Sequence, residues 1–244
     1  MRLKIFASSS SGNCALVETG GKRILIDAGL SFRKICAALE GEEISPQEID
    51  AVFVTHEHGD HVIGLGGFSA LGVPIYATRG TAGGIIRQEI KWTIVPSAGK
   101  FAAAQLRVET FTIPHDAGEP VGYAIDDGEE RLVWALDVGH LDKKIKTVLK
   151  SATILVLESN YCPDMLEKSG RPFHLKQRIR GRHGHLSNDE TFEFLTAERS
   201  ESWKQIYLAH VSRQCNNVEK LEALYASSGL PIEVVDPWGE PIVA

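Results

Sequence analysis

Apolar residues come in short runs along this chain, and each run is cut off by a polar or glycine-containing stretch. RLKIFA (2–7), CALVET (14–19) and KRILIDAG (22–29) are aliphatic and β-branched, and Gly-containing turns separate them, which predicts three successive strands. In SFRKICAALEGEEI the apolar positions, Ile35 and Leu39 among them, recur at helical spacing, and Ser31 stands where an N-cap belongs. AVFVT (51–55) reads as a short buried strand, GFSALGV as a short helix and PIYAT as another strand. FAAAQLRVETFTIPH and VGYAIDDGEERLVWALD read as strands joined by hairpins, with DDGEE as the second turn. TILVLESN (153–160) and KQIYLAH (204–210) are again apolar strands, and helices are expected at 141–150, 187–199 and 216–228. Nothing divides the chain as a linker or low-complexity segment would, so the expectation is a single α/β domain over 1–244.

The runs share one habit. An apolar strand ends and a chemically capable residue follows at once, at His56, His115, Asp137, Glu158 and His210. Sites assembled from loops at one end of a rigid sheet have this pattern.

Composition narrows the class. The 244 residues are 43% hydrophobic and 24% charged, as expected for a globular chain. No run approaches the ~18 apolar residues of a membrane span. The N-terminal MRLKIFASSSSGNC lacks the shape of a signal peptide. Cys14, Cys36, Cys162 and Cys215 are far apart and form no CxxC pair, so they are expected as reduced thiols of a cytoplasmic protein. A net charge of −6 argues against a generic polyanion-binding surface but leaves room for a local basic patch.

The densest chemistry is in VFVTHEHGDH (52–61), which carries three imidazoles in its last six positions. In a turn, Gly59 can take a backbone conformation that other residues avoid. The loop can then aim His56 and His58 at one metal ion and Asp60 and His61 at a second. Neutral imidazole and carboxylate suit zinc, iron or manganese.

THEHGDH resembles the HxHxDH signature of the metallo-β-lactamase superfamily. The rest of that superfamily's pattern appears in order: LIDAG with Asp27, IPHDA with His115, WALDVG with Asp137 and YLAH with His210. The resemblance implies an αββα four-layer sandwich with metals at the sheet edge. It implies that His56, His58 and His115 bind one divalent ion and Asp60, His61 and His210 a second, with Asp137 bridging them and Asp27 supporting the loop. Two such ions ~4 Å apart acidify a shared water and clamp a displaced oxygen.

The superfamily spans many hydrolases, so the substrate must come from other residues. In RHGHLSNDETFEF, Ser187 and Glu190 form an S-x-x-E capping box. That sets His185 beside a helix N-terminus, where phosphate is favoured. His185 and Glu158 resemble the His–carboxylate pair of the superfamily's nucleases, which acts at the scissile phosphate. RPFHLKQRIRGRHGH (171–185) holds Arg171, Lys176, Arg178, Arg180 and Arg182 and no acid. It is either the path of a polyanion, with Arg178, Arg180, Arg182 and Ser187 touching it, or a solvated helix face. Ser9 to Asn13 form a hydroxyl-rich turn, read either as a phosphate-cradling nest through Ser11 and Asn13 or as a plain hairpin turn.

Taken together, SSSSGNC, THEHGDH, PHDAGEPVGY, LESNY, HLKQRIRGRHGHLSN and LAHVSRQCNN resemble the YycJ/WalJ-type proteins, bacterial single-domain relatives of the β-CASP nucleases. One segment departs from that family's pattern: HVSRQCNN stands where HLSKENN is usual. The resemblance implies a 5′-to-3′ DNA exonuclease, with DNA preferred over RNA, that acts in mismatch repair alongside repair proteins. A cyclic phosphodiesterase, lactonase or thioesterase on the same metals is the alternative enzyme, and a non-hydrolysing metal-dependent sensor is the alternative outside enzymes.

Overall fold

The computed structural model describes residues 1–86 and 89–237 in full and the backbone of 242–243. The chain falls into two compact units. One is Met1–Thr110 with Ala117–Val121 and the strand at 242–243, and the other is Phe111–Asp116 with the segment from Gly122.

The first unit opens with antiparallel strands β1 (Arg2–Ser9), β2 (Gly12–Thr19) and β3 (Lys22–Ile26). β4 (Ala51–Phe53), β5 (Ile75–Ala77) and β6 (Trp92–Ile94) extend the sheet in parallel. Parallel neighbours need crossovers. α1 (Phe32–Glu40) supplies the first, and α2 (Gly59–Val62) and α3 (Leu65–Ala70) the second, while α4 (Arg79–Gly84) stands between β5 and β6. Register follows the apolar pattern: Leu16 pairs Leu25, and Leu25 pairs Val52. These residues share a core with Ile35 and Leu39, one turn apart on α1, and with Leu65 and Phe68 on α3. β7 (Gly99–Ala103) and β8 (Leu106–Thr112) form a hairpin whose two turn residues, Ala104 and Gln105, both have positive φ, as a twist-compatible two-residue turn requires.

In the second unit, β9 (Val121–Asp126) and β10 (Arg131–Ala135) pair antiparallel through the expected DDGEE turn. There Asp127 Oδ1 accepts the amides of Glu129 and Glu130, and Gly128 takes φ 100°. β11 (Ile154–Glu158), β12 (Gln205–Ala209) and β13 (Ile232–Val234) continue in parallel. α5 (Lys143–Lys150), α6 (Pro163–Lys168), α7 (Phe173–Arg180), α8 (Asn188–Ala197) and α9 (Val218–Tyr225) connect them. Leu155, Leu157, Ile206 and Leu208 of the central strands share a core with Leu149, Leu195 and Leu221 of the helices. The last strand, β14 (Ile242–Val243), pairs antiparallel with β1. Among the described residues no helix is long and apolar enough to cross a membrane.

The Ser9–Asn13 segment is mostly strand: Ser9 and Asn13 are buried, and a two-residue turn joins β1 to β2. The basic run is the helix α7, which buries only Ile179. Its burial stripe is too narrow to stand out as periodicity.

Phe68 is fully buried and packs edge-on against Phe32, with ring centroids 5.1 Å apart. Phe68→Ala should destabilise the protein by about 3–5 kcal/mol in urea denaturation. Ile63→Ala, at a position 61% exposed, should stay within ~0.5 kcal/mol.

Candidate metal and catalytic site

In the first unit the site grows from the ends of β3 and β4. Asp27 follows β3 with φ 60°, a left-handed conformation that costs a non-glycine residue energy and turns its carboxylate inward. It is fully buried. Thr55 donates to Asp27 from its amide (2.8 Å) and its hydroxyl (3.0 Å), and Nδ1 of His61 lies 2.8 Å from Asp27 Oδ2. Desolvation pushes the Asp27 pKa up, against the pull of His61 and Thr55. The amide of Ala28 donates to His61 O and that of Gly29 to Asn13 O, which stitches the post-β3 loop to the histidine loop and to β2. A Cβ on Gly29 would lie 1.7 Å from Asp60 O, so only glycine permits this approach.

His56, His58 and His61 cluster there. The His56 ring centroid is 4.6 Å from that of His58 and 4.0 Å from that of His61. Asp60 Oδ2 is 3.6 Å from His61 Nε2. Asn13 is fully buried, and its amide nitrogen, which donates to Ser9 O (3.1 Å), also lies 3.0 Å from His61 Nε2. A donor meeting Nε2 puts the His61 proton on Nδ1, facing Asp27. The single Thr55 hydroxyl proton goes to the Asp27 carboxylate, so Thr55 Oγ1 accepts from His56 Nδ1 at 3.0 Å. His56 thus keeps its Nε2 lone pair for a ligand, while the Nε2 lone pair of His61 meets the Asn13 amide until a ligand displaces it. Glu57, between His56 and His58, turns elsewhere and accepts the Gly118 amide on Oε1 at 2.5 Å.

In the second unit the counterpart of Asp27 is Glu158, at the end of β11 and fully buried. Oε2 accepts the amides of Val138 (2.7 Å) and Leu186 (3.2 Å), and Oε1 lies 2.8 Å from Nδ1 of both His185 and His210. Burial would raise the Glu158 pKa, but the two imidazoles outweigh it and hold the carboxyl below its usual range. His185 is displaced the opposite way. Burial works to lower its pKa, and Glu158 and Asp137 hold it above the ordinary value. His115 donates from Nδ1 to Gly184 O at 3.2 Å, its Nε2 is 3.8 Å from Asp137 Oδ1, and burial depresses its pKa against the pull of Asp137. Asp137 and His210 also take left-handed φ, 56° and 53°. One ligand atom each from Asp137, Glu158, His185 and His210 falls within 4.8 Å of the others.

Imidazoles with Nδ1 committed to oxygen and Nε2 presented, beside buried carboxylates, are a donor set that fits a borderline divalent ion.

The other expected contact residues are placed as follows. Ser11 is exposed, at the β1–β2 turn. Ser187 caps α8 through Glu190, as its capping box predicts. The basic run lacks acids in sequence but meets them in space: Arg178 Nε is 2.5 Å from Asp116 Oδ2 and Arg180 Nη2 is 2.5 Å from Glu167 Oε2, while Arg182 Nη2 lies 3.2 Å from His140 Nε2. Three positioning residues escaped sequence reasoning. Thr55 immediately precedes the histidine motif. Asn160 donates to His210 O at 2.8 Å. Asn216 donates to Ser159 O and Asn160 O, which fixes the end of β11. Asn216 lies in the divergent HVSRQCNN segment, where Arg213 binds Pro237 O and Cys215 joins a small core with Tyr161, Leu166 and Ile179. Gln214, between them, is exposed.

Thr55→Val keeps the shape and removes the hydroxyl that serves Asp27, His56 and His61. Titration against a chromogenic chelator should show divalent-metal affinity weakened about 10–100-fold. Unchanged affinity would mean that Thr55 does not orient the imidazoles.

The comparisons with known proteins agree with this geometry. Residues 22–210 match the Beta-lactamase superfamily domain. The chain is 32% identical over 239 residues to exodeoxyribonuclease YycJ of Bacillus anthracis, covering 94% of this chain and 89% of that protein. It is 31% identical over 228 residues to exodeoxyribonuclease WalJ of Streptococcus pneumoniae, covering 90% and 84%. Among solved structures, the metallo-β-lactamase fold protein YhfI from Bacillus subtilis aligns with 100% of this chain and 99% of its own at TM-score 0.76, with 14% sequence identity, which is a likeness of fold. The chain therefore belongs to the metallo-β-lactamase superfamily, in the family of YycJ- and WalJ-type proteins, and is a metal-dependent hydrolase of that fold.

Proposed function

We propose that this hydrolase cleaves DNA phosphodiesters from the 5′ end, as a 5′-to-3′ exonuclease of the cytoplasm with a role in DNA repair. The observation that carries the reading is the His185–Glu158 pair. Glu158 fixes His185 through Nδ1, and the ring stands 20% exposed just ahead of α8. A presented imidazole beside a helix N-terminus suits a phosphate oxygen. The exodeoxyribonuclease names of the two relatives support nucleic acid as the substrate.

In this reading the cofactors are two divalent ions, zinc, manganese or iron. His56, His58 and His115 would hold the first, Asp60, His61 and His210 the second, and Asp137 would serve as a ligand beside them. When bound, the ions supply an acidified water and neutralise charge on the phosphate. The chain's own groups do the rest. Asp27, Thr55 and Asn13 lock the His61 and His56 rings, and Glu158 and Asn160 lock His210. Asp60 orients the attacking water. His185 Nε2 hydrogen-bonds the phosphate or leaving oxygen as charge develops. Ser11, Arg178, Arg180 and Arg182 hold the strand, and Ser187 sets the helix end that faces it.

Manganese-loaded protein should shorten a 5′-phosphorylated, 3′-labelled duplex progressively from its 5′ end, and Asp60→Asn should not. Intact DNA with metal bound would overturn the exonuclease reading, and turnover of a chromogenic phosphodiester or ester would then identify a small-molecule hydrolase. His185→Ala should lower kcat about 10²–10⁴-fold with metal content unchanged. A rate within twofold of wild type would remove His185 from the reaction.

A further inference from the structure

Phe173 is the one large aromatic among the described residues that the fold leaves in solvent, at 75% exposure. It opens α7. The helix buries Ile179 and half-buries Leu175 on one side. At 100° per residue, Phe173, Gln177 and Arg180 fall on the opposite side, with Lys176 at its edge. All three of the outward residues are exposed. The neighbourhood is basic: Arg171, Lys176, Arg178, Arg180 and Arg182 surround the ring in sequence, and the contacting acids are Asp116 and Glu167. Surplus positive charge beside an exposed aromatic ring disfavours a protein hydrophobic face. It matches the pairing that single-stranded nucleic acid uses, in which a base stacks on the ring and cations track the backbone.

The helix also has a direction. The His185 amide donates to Ile179 O at 2.9 Å, and a Cβ on Gly184 would lie 2.2 Å from that same carbonyl, so the His185 backbone is folded tightly onto the C-terminal end of α7. From Phe173 to Ile179 the helix rises about 9 Å at 1.5 Å per residue. That spans about three stacked nucleotides at 3.4 Å each.

We propose that Phe173 is a base-stacking platform for single-stranded DNA, engaging the substrate about three nucleotides from the phosphate cleaved beside His185. This rests on the nuclease reading above. The ring grips the strand at a distance, with Lys176 and Arg180 on its phosphates, and takes no part in bond cleavage. Any base can stack there, so the contact carries length dependence without sequence preference.

The test compares holoenzymes on a series of 5′-phosphorylated oligonucleotides from two to eight nucleotides long, beside a chromogenic phosphodiester. In wild type, kcat/KM should step up at three to four nucleotides. Phe173→Ala should lose that step, with KM for the octamer raised about 5–100-fold, and should match wild type on the dinucleotide and the chromogenic substrate. Phe173→Trp should restore the step. A Phe173→Ala protein with the full step overturns the proposal, and so does a changed oligomeric state in gel filtration with unchanged DNA kinetics, which would make the ring a protein contact. Failure of wild type on every oligonucleotide would overturn the nuclease reading itself, an outcome distinct from either.

Discussion

Two carboxylates with almost no access to water govern the rest of this structure. Asp27 and Glu158 each end a strand, and each would be costly to bury without hydrogen-bond partners for every oxygen. The solution is the same in both units. Backbone amides cover part of the carboxylate, Thr55 at Asp27 and Val138 and Leu186 at Glu158, and imidazole Nδ1 atoms cover the remainder. Each imidazole that satisfies a buried acid also turns its other nitrogen away from that acid. Solving the desolvation problem therefore prepares ligand nitrogens in one tautomer and one orientation, which is what orientation from behind a metal ligand requires.

Reaching that arrangement costs backbone strain. Asp27, Asp137 and His210 occupy the left-handed region that non-glycine residues avoid, each directly after a strand or one residue beyond it. Glycines absorb what side chains cannot: Gly29 lets the Asp60 carbonyl approach, and Gly139 and Gly184 let the 182–184 segment pack close. Strain concentrated where buried polar groups converge is a mark of function rather than of loose folding.

Much of this was legible in the sequence, and the physical reason is periodicity. The central strands are short apolar runs with abrupt polar ends, so both the strands and the residues following them could be read directly, from Asp27 to His210. The motif HEHGDH announces its chemistry through density alone. What escaped was whatever depends on distant partners. Asn216 looks like any loop asparagine until Ser159 and Asn160 come to rest against it. The short β6 and β13 carry too few residues to alternate, and α6 and α7 bury only single residues, Leu166 and Ile179. Serine composition implies a loose turn and says nothing of strand pairing, yet Ser9 pairs with Gly12 and Asn13 points inward.

The basic run shows why charge counted along a sequence differs from charge met in space. Residues 171–185 contain no acid, yet Asp116 and Glu167 arrive from elsewhere to pair with Arg178 and Arg180. These pairs are substantially exposed, and exposed pairs contribute only ~0–1 kcal/mol. They hold the guanidiniums in place without binding them tightly. A backbone phosphodiester entering the same space offers one charge over two oxygens, as the carboxylate does, and exchanges for it at little cost. Such pairing offsets part of the local positive charge of this segment in a chain of net charge −6. Asp116 adjoins His115, so exchange at Arg178 would occur beside a candidate metal ligand, where substrate arrival and site chemistry meet.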